Sequence, residues 1–196
     1  MERWRAALAL LGADAEAFTW RYAAFELDPN VPPEGIDRDA YMAGRYDPAA
    51  VKAMGERLVQ IARREGLQMA DPAAPTVRPN TFAAHRLMAS ALEAGVHVQQ
   101  ALGDGLFAAY WGRGEDVGDH GVLAAAAAAA GMDGAAAAGL LAGDAFAGDV
   151  RAEERKAARL GIRAVPTFVF DGRSAISGAQ DPAVLAQAAR AAMSDG

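Results

Sequence analysis

A chain of 196 residues with 53% hydrophobic and 22% charged side chains has the balance of a globular protein, long enough for one domain with a real core or one domain carrying a large insertion. The formal charge is −6, and no run of Lys and Arg stands alone along a helix face, so the electrostatic footprint of a nucleic-acid binder is missing. These residues include no cysteine, which removes disulfides, thiolate nucleophiles and thiolate metal sites together.

The first residues imitate a signal peptide, with arginines, an apolar run and an Ala-x-Ala-like ending. The run Ala6–Leu11 is shorter than a secretory apolar region, and Glu2 and Asp14 flank it. Trp4, Ala7, Leu8 and Leu11 fall instead at helical spacing, which predicts an amphipathic helix over about Glu2–Leu11 stopped by Gly12. The aromatic-rich stretch Phe18–Phe25 is predicted as a strand, and Pro29, Pro32, Pro33 and Gly35 as a loop. A short helix is expected at Asp37–Gly44. In the next one Asp47 is the N-cap, Pro48 the first residue, and Val51, Met54, Leu58 and Ile61 the buried stripe, up to about Gly66.

A proline-rich connector, Asp71–Pro79, leads to Asn80, the expected cap of a helix reaching about Ala94 and ended by Gly95. Val98, Leu102, Leu106, Ala109 and Tyr110 predict another helix. Asp119 and Asp133 cap two alanine-rich helices, and a last helix of this group covers about Phe146–Leu160. Then the period changes. Thr167–Phe170 reads as a strand, Asp171-Gly172 as a two-residue turn and Arg173–Ile176 as the return strand. Ser177–Gln180 connects to a final helix from about Asp181, with Pro182 at its first position. No stretch approaches the roughly 20 apolar residues of a membrane helix, and the alanine run Ala124–Ala130 is too weakly apolar to serve. The expected location is the cytoplasm.

Few residues carry chemistry. His85, His97 and His120 are scattered, and no pair has metal-ligand spacing, so neither a metal nor a cofactor is expected. His85 is a possible lining residue of a cleft, and Asn80 a cap that could face the same cleft. Asp37, Asp39, Glu56, Glu65 and the Glu153-Glu154 pair sit among arginines and lysines, as solvated helix faces do. Gly112, Gly114 and Gly118 fall between helices, where a phosphate loop is not built. Pro166 has no N–H to give a sheet and belongs at a strand start or edge.

The segment Gly161-Ile162-Arg163-Ala164-Val165-Pro166-Thr167-Phe168-Val169 resembles the Gly-Val-x-Gly-Val-Pro-Thr-Phe segment of thioredoxin-like proteins, with Ala164 in place of the common glycine. The continuation Phe170-Asp171-Gly172-Arg173-Ser174-Ala175-Ile176-Ser177-Gly178-Ala179-Gln180 is similar to the DsbA superfamily, especially its FrnE-like branch. So are Phe25-Glu26-Leu27-Asp28-Pro29, Pro79–Leu87 and Leu106–Trp111, in the right order over nearly the whole chain.

The resemblance implies an α/β thioredoxin-like fold with a large α-helical insertion: residues 1–25 and 145–196 would form the thioredoxin-like part and residues 26–144 the insertion. It implies disulfide oxidoreduction, a cis bond before Pro166, and a substrate-binding loop of Ala164, Val165 and Pro166. The family begins with a strand and a Cys-x-x-Cys at the head of the first helix. Here both are absent, since Met1 falls at about the middle of that helix, and an upstream start is expected. The missing strand would lie between Phe18–Phe25 and Thr167–Phe170, and Phe18, Trp20 and Phe168 would lose cover without it.

Three functions stay open. One is a disulfide oxidoreductase of that family, unable to exchange disulfides with these cysteine-free residues alone. Another is a non-catalytic binding or scaffold protein, in which the Val165 backbone pairs with an extended peptide. The third is a relative of the glutathione-using kappa-class transferases and 2-hydroxychromene-2-carboxylate isomerases, whose aromatic-Gly-x-Asp pattern is here Ser177-Gly178-Ala179-Gln180. The partners expected are an extended peptide or thiol-containing client, with a homodimer possible and neither nucleic acid nor membrane.

Overall fold

The computed structural model describes residues 1–74 and 76–194; Pro75, within the predicted connector, and residues 195–196 lie outside the described residues. The chain divides into two compact units, one made of residues 1–20 and 156–196 and the other of residues 21–155.

The first unit contains α1 (Glu2–Leu11) and, from the other end of the chain, the hairpin β3 (Thr167–Phe170) and β4 (Ser174–Ser177) followed by α9 (Pro182–Ser194). The helical stripe of α1 buries Trp4, Ala7 and Leu11, and α9 answers with Leu185, Ala186 and Ala189. Phe170 of β3 completes that core, with Phe18, Trp20, Phe168 and Ile176 packed against it. Trp4 is 3% exposed and is the aromatic hub: its ring lies 5.6 Å from Phe168, 6.0 Å from Phe170 and 6.2 Å from Phe18. Asp171 and Gly172 both take positive φ, 50° and 70°. The turn is one residue longer than the sequence suggests. Phe170 pairs with Ser174 across the antiparallel ladder, so Arg173, whose N–H bonds to the Phe170 carbonyl at 3.0 Å, belongs to the turn.

The second unit is helical. It holds α2 (Arg38–Ala43), α3 (Pro48–Arg64), α4 (Phe82–Ala94), α5 (Val96–Phe107), α6 (His120–Ala129), α7 (Gly134–Ala142) and most of α8 (Ala147–Arg159), which continues past residue 155. A π-helical turn, Ala108–Arg113, extends α5. Asp47, Asp119 and Asp133 cap their helices through side-chain oxygens, as the sequence indicates, and Asp37, read from the sequence as part of a solvated face, caps α2 in the same way. Leu87, Leu102 and Leu123 are fully buried at the centre, with alanines of α4, α6 and α7 letting the helices approach closely.

Three local expectations are corrected. The stripe of α3 is not a core stripe: Met54 and Leu58 are exposed, and Ala62 is the buried residue of that helix. The loop and connector contain a two-residue antiparallel pair, β1 (Ile36–Asp37) with β2 (Val77–Arg78), too short to leave a periodic signal.

The third correction concerns Phe18–Phe25, which is extended but joins no sheet among the described residues. Side chains do the work of a neighbouring strand there. Gln99 accepts from the Tyr22 N–H at 2.9 Å and donates to the Tyr22 carbonyl at 3.2 Å, while Glu153 accepts from the Ala24 N–H at 2.7 Å. A backbone so satisfied needs no ladder.

Candidate functional site

The loop around Pro166 is prepared by the end of α8. Gly161, at φ 70°, donates to the Ala158 carbonyl at 3.0 Å, and Ile162 reaches back to Ala157 at 3.0 Å. This is a Schellman ending, in which glycine takes the left-handed position at least cost and turns the chain away from the helix axis. Arg163, Ala164, Val165 and Pro166 then run exposed to the start of β3, and the Val165–Pro166 peptide is cis.

Two residues pin this loop. The Thr167 hydroxyl donates to the Ala164 carbonyl at 2.7 Å and lies 3.1 Å from the Ser177 hydroxyl, tying the loop to β4. The Gly178 N–H donates to the Pro166 carbonyl at 2.8 Å. Val165 lies between these anchors and is 52% exposed, and among the described residues neither its N–H nor its carbonyl is hydrogen-bonded. The β3 strand pairs with β4 alone among the described residues, and its other edge is the one that the family's first strand would take. An extended peptide can pair with free groups such as those of Val165 through main-chain hydrogen bonds.

Ala164, Val165 and Pro166 thus lie together in one loop of the first unit. Asn80 and His85 belong to the helical unit, and both are engaged there. Asn80 donates to the Val31 carbonyl at 2.6 Å and accepts from the Phe82 N–H at 2.9 Å. Thr81 occupies the cap position of α4 without a side-chain bond, so Asn80 does the capping work from one residue further out. His85 is half-buried; burial holds its pKa below the ordinary 6.5, against the pull of Glu154 and of the Phe25 backbone.

Beside it is a charged cluster that composition hides. Glu26, its carboxylate 1% exposed, takes a hydrogen bond from Arg151, which also bonds Glu154 at 2.7 Å. Burial raises the Glu26 pKa, and the neighbouring Glu154 carboxyl adds to that rise against the pull of Arg151. Glu153 bonds Arg21 at 2.6 Å. The Glu153-Glu154 pair is therefore not a solvated face, contrary to the sequence reading. The available signal was the spacing of Arg151 and Glu154, three apart on one helix face; nothing local marks Glu26 as its partner.

The family model for the DSBA-like thioredoxin domain matches residues 4–190. The chain belongs to the DSBA-like thioredoxin domain family. A crystal structure of a probable DsbA oxidoreductase from Streptomyces coelicolor matches with a TM-score of 0.90 and 30% sequence identity, covering 100% of this chain and 83% of the other. Among curated proteins none matches. The thioredoxin-like fold with a large helical insertion is thereby established, and the 196 residues carry it without a cysteine.

Among the described residues no helix is long and apolar enough to cross a membrane.

Proposed function

We propose that these residues form the client-holding part of a DsbA-family disulfide oxidoreductase: the loop at Ala164, Val165 and Pro166 binds an extended polypeptide, and thiol–disulfide exchange requires a thiolate from outside the 196 residues. The observation that carries this reading is the exposed Val165 backbone, whose N–H and carbonyl have no hydrogen-bond partner among the described residues. A buried loop would have to satisfy those groups internally; an exposed one can lend them to a client. The chemistry of exchange is attack of a thiolate on a disulfide sulfur, and no side chain here can supply it.

The test has two arms. In the first, the 196-residue polypeptide should reduce insulin, and oxidise a reduced client, no faster than the uncatalysed background. In the second, S-carboxymethylated insulin B chain, an extended polypeptide with no free thiol, should bind to it, and N-methylation of client amides opposite Val165 should weaken binding. Turnover by this polypeptide alone overturns the first statement; binding indifferent to backbone methylation overturns the second.

A further inference from the structure

The helical unit contains a cavity of about 180 Å³ that the proposed client loop does not use. Its construction is specific. Pro72 packs onto α3 at Gly55, where a side chain would meet the proline ring at 2.9 Å. Ala70 donates to the Trp111 carbonyl at 2.8 Å, and Ala74 fits against Gly114, where a Cβ would approach it to 2.8 Å. The segment Met69–Pro72 is thus tied on both sides and closes a space lined by Met42, Met54, Leu58, Met69 and Trp111. This explains why Met54 and Leu58 of α3, at core spacing, are exposed rather than buried in the helical core. Tyr110 and Trp111 enter the lining from the π-helical turn, a distortion that frequently marks functional sites.

The lining is not uniformly apolar. Arg38 and Arg78 join it beside Tyr41 and Tyr110. The guanidiniums of Arg45 and Arg78 lie 3.9 and 4.3 Å from the centre of the Tyr41 ring. The acidic neighbours are occupied elsewhere or remote. Asp28 pairs with Arg78 at 3.2 Å, and Asp71 accepts from the Ala73 N–H at 2.9 Å. Asp39, its side chain 84% exposed, is 3.5 Å from Arg38. Arg38 itself is 21% exposed in its side chain, and its five side-chain N–H donors have that single long contact among the described residues.

We propose that this cavity binds a short aliphatic carboxylate, its carboxyl group against Arg38 and its chain among Met54, Leu58 and Met69. Size limits the ligand: an apolar cavity of roughly 150 Å³ accommodates a benzene-sized molecule, whereas drug-sized ligands occupy roughly 300 Å³ or more. Charge sets the head group, because a planar guanidinium matches a carboxylate with two parallel bonds. Unbranched, polarizable methionines fit a flexible chain better than a rigid ring. The site is independent of the client loop, and its failure would leave that reading untouched.

The probe is hexanoate, with hexanamide as its neutral counterpart, and the readout is the spectrum of ¹³C-methyl methionine protein. Hexanoate should shift the methyl signals of Met54 and Met69 and leave those of Met88 and Met132, in the helical core, in place. A ligand this small should bind with a dissociation constant of about a millimolar, and hexanamide about tenfold more weakly or worse. Arg38→Met should weaken hexanoate about tenfold and leave hexanamide within about twofold. Leu58→Trp, a change on an exposed helix position that fills the cavity, should remove both. The proposal is overturned if hexanoate at tens of millimolar shifts neither Met54 nor Met69. Equal binding of acid and amide, or hexanoate affinity indifferent to Arg38→Met, would overturn it as well.

Discussion

Gln99 is the side chain on which the extended segment most depends, and Gln99→Met isolates its role. The residue is 2% exposed, and its amide serves three backbone groups: the Tyr22 N–H at 2.9 Å, the Tyr22 carbonyl at 3.2 Å and the Met88 carbonyl at 3.2 Å. Methionine keeps the length and volume and removes every polar atom. Not all three partners would be orphaned. The Tyr22 carbonyl keeps Arg21 at 3.1 Å, and Met88 lies inside α4, where its carbonyl keeps a helical donor. The Tyr22 N–H loses the Gln99 oxygen as its acceptor. Each of the three hydrogen bonds lost is worth about 0.5–1.5 kcal/mol, offset in part by the easier burial of a thioether. The net loss should be about 2 kcal/mol, or roughly 4–8 °C in Tm for a chain of this length. Urea unfolding gives the free energy, and hydrogen exchange at the Tyr22 amide gives the local effect, with Gln68→Met on the exposed surface as the control. If Gln99→Met costs less than about 0.5 kcal/mol, the scatter of an ordinary surface change, and the Tyr22 amide stays protected, the idea that side chains replace a strand here is wrong.

Titration of the charged cluster should show two opposite slopes. A His85 pKa below 6.5 means the folded state favours the neutral ring, so its contribution is present above pH 6.5 and is lost as pH falls below it; wild type should lose stability from pH 7 to 5 more steeply than His85→Phe in urea titrations. Glu26 is raised above 4.5, so its contribution is present below that value and is lost as pH rises through the folded pKa; the stability of Glu26→Gln relative to wild type should therefore grow with pH over that window, and a flat difference would count against it. Gly103→Ala should destabilise by about 1–3 kcal/mol, because the new methyl would meet the Tyr22 ring at 2.5 Å, whereas Gly105→Ala on the same helix, with nothing nearer than 4.0 Å, should stabilise by up to about 1 kcal/mol; thermal melts that rank the two equally would contradict this. Trp4→Ala, which removes the ring packed on Phe18, Phe168 and Phe170, should cost about 3–5 kcal/mol by calorimetry or denaturant titration.

Helix positions were legible because their determinants are local. Asp47 before Pro48 and Asp133 before an alanine run name their own caps, and Gly161 names its own stop. The hairpin was legible from Asp171-Gly172, although its length was not, since one residue more or less in the turn leaves the alternation of β3 unchanged. Phe18–Phe25 has strand composition, but whether an extended segment joins a sheet depends on groups far away in sequence, here Gln99 and Glu153. The stripe of α3 was misread for the same reason: helical spacing reveals an apolar face, and that face lines a cavity instead of entering the core. At the candidate site, Ala164, Val165 and Pro166 stood out in the motif, while Glu26 and Arg151 are 125 residues apart and meet only in three dimensions.

The most direct test of the client-holding reading is the Val165 amide itself. In ¹⁵N spectra of the 196-residue polypeptide titrated with S-carboxymethylated insulin B chain, the Val165 signal should move and its hydrogen exchange should slow. Methylation of the client's backbone nitrogens should reverse both effects. A Val165 amide that neither shifts nor gains protection while the client binds would place binding on another surface and contradict the account.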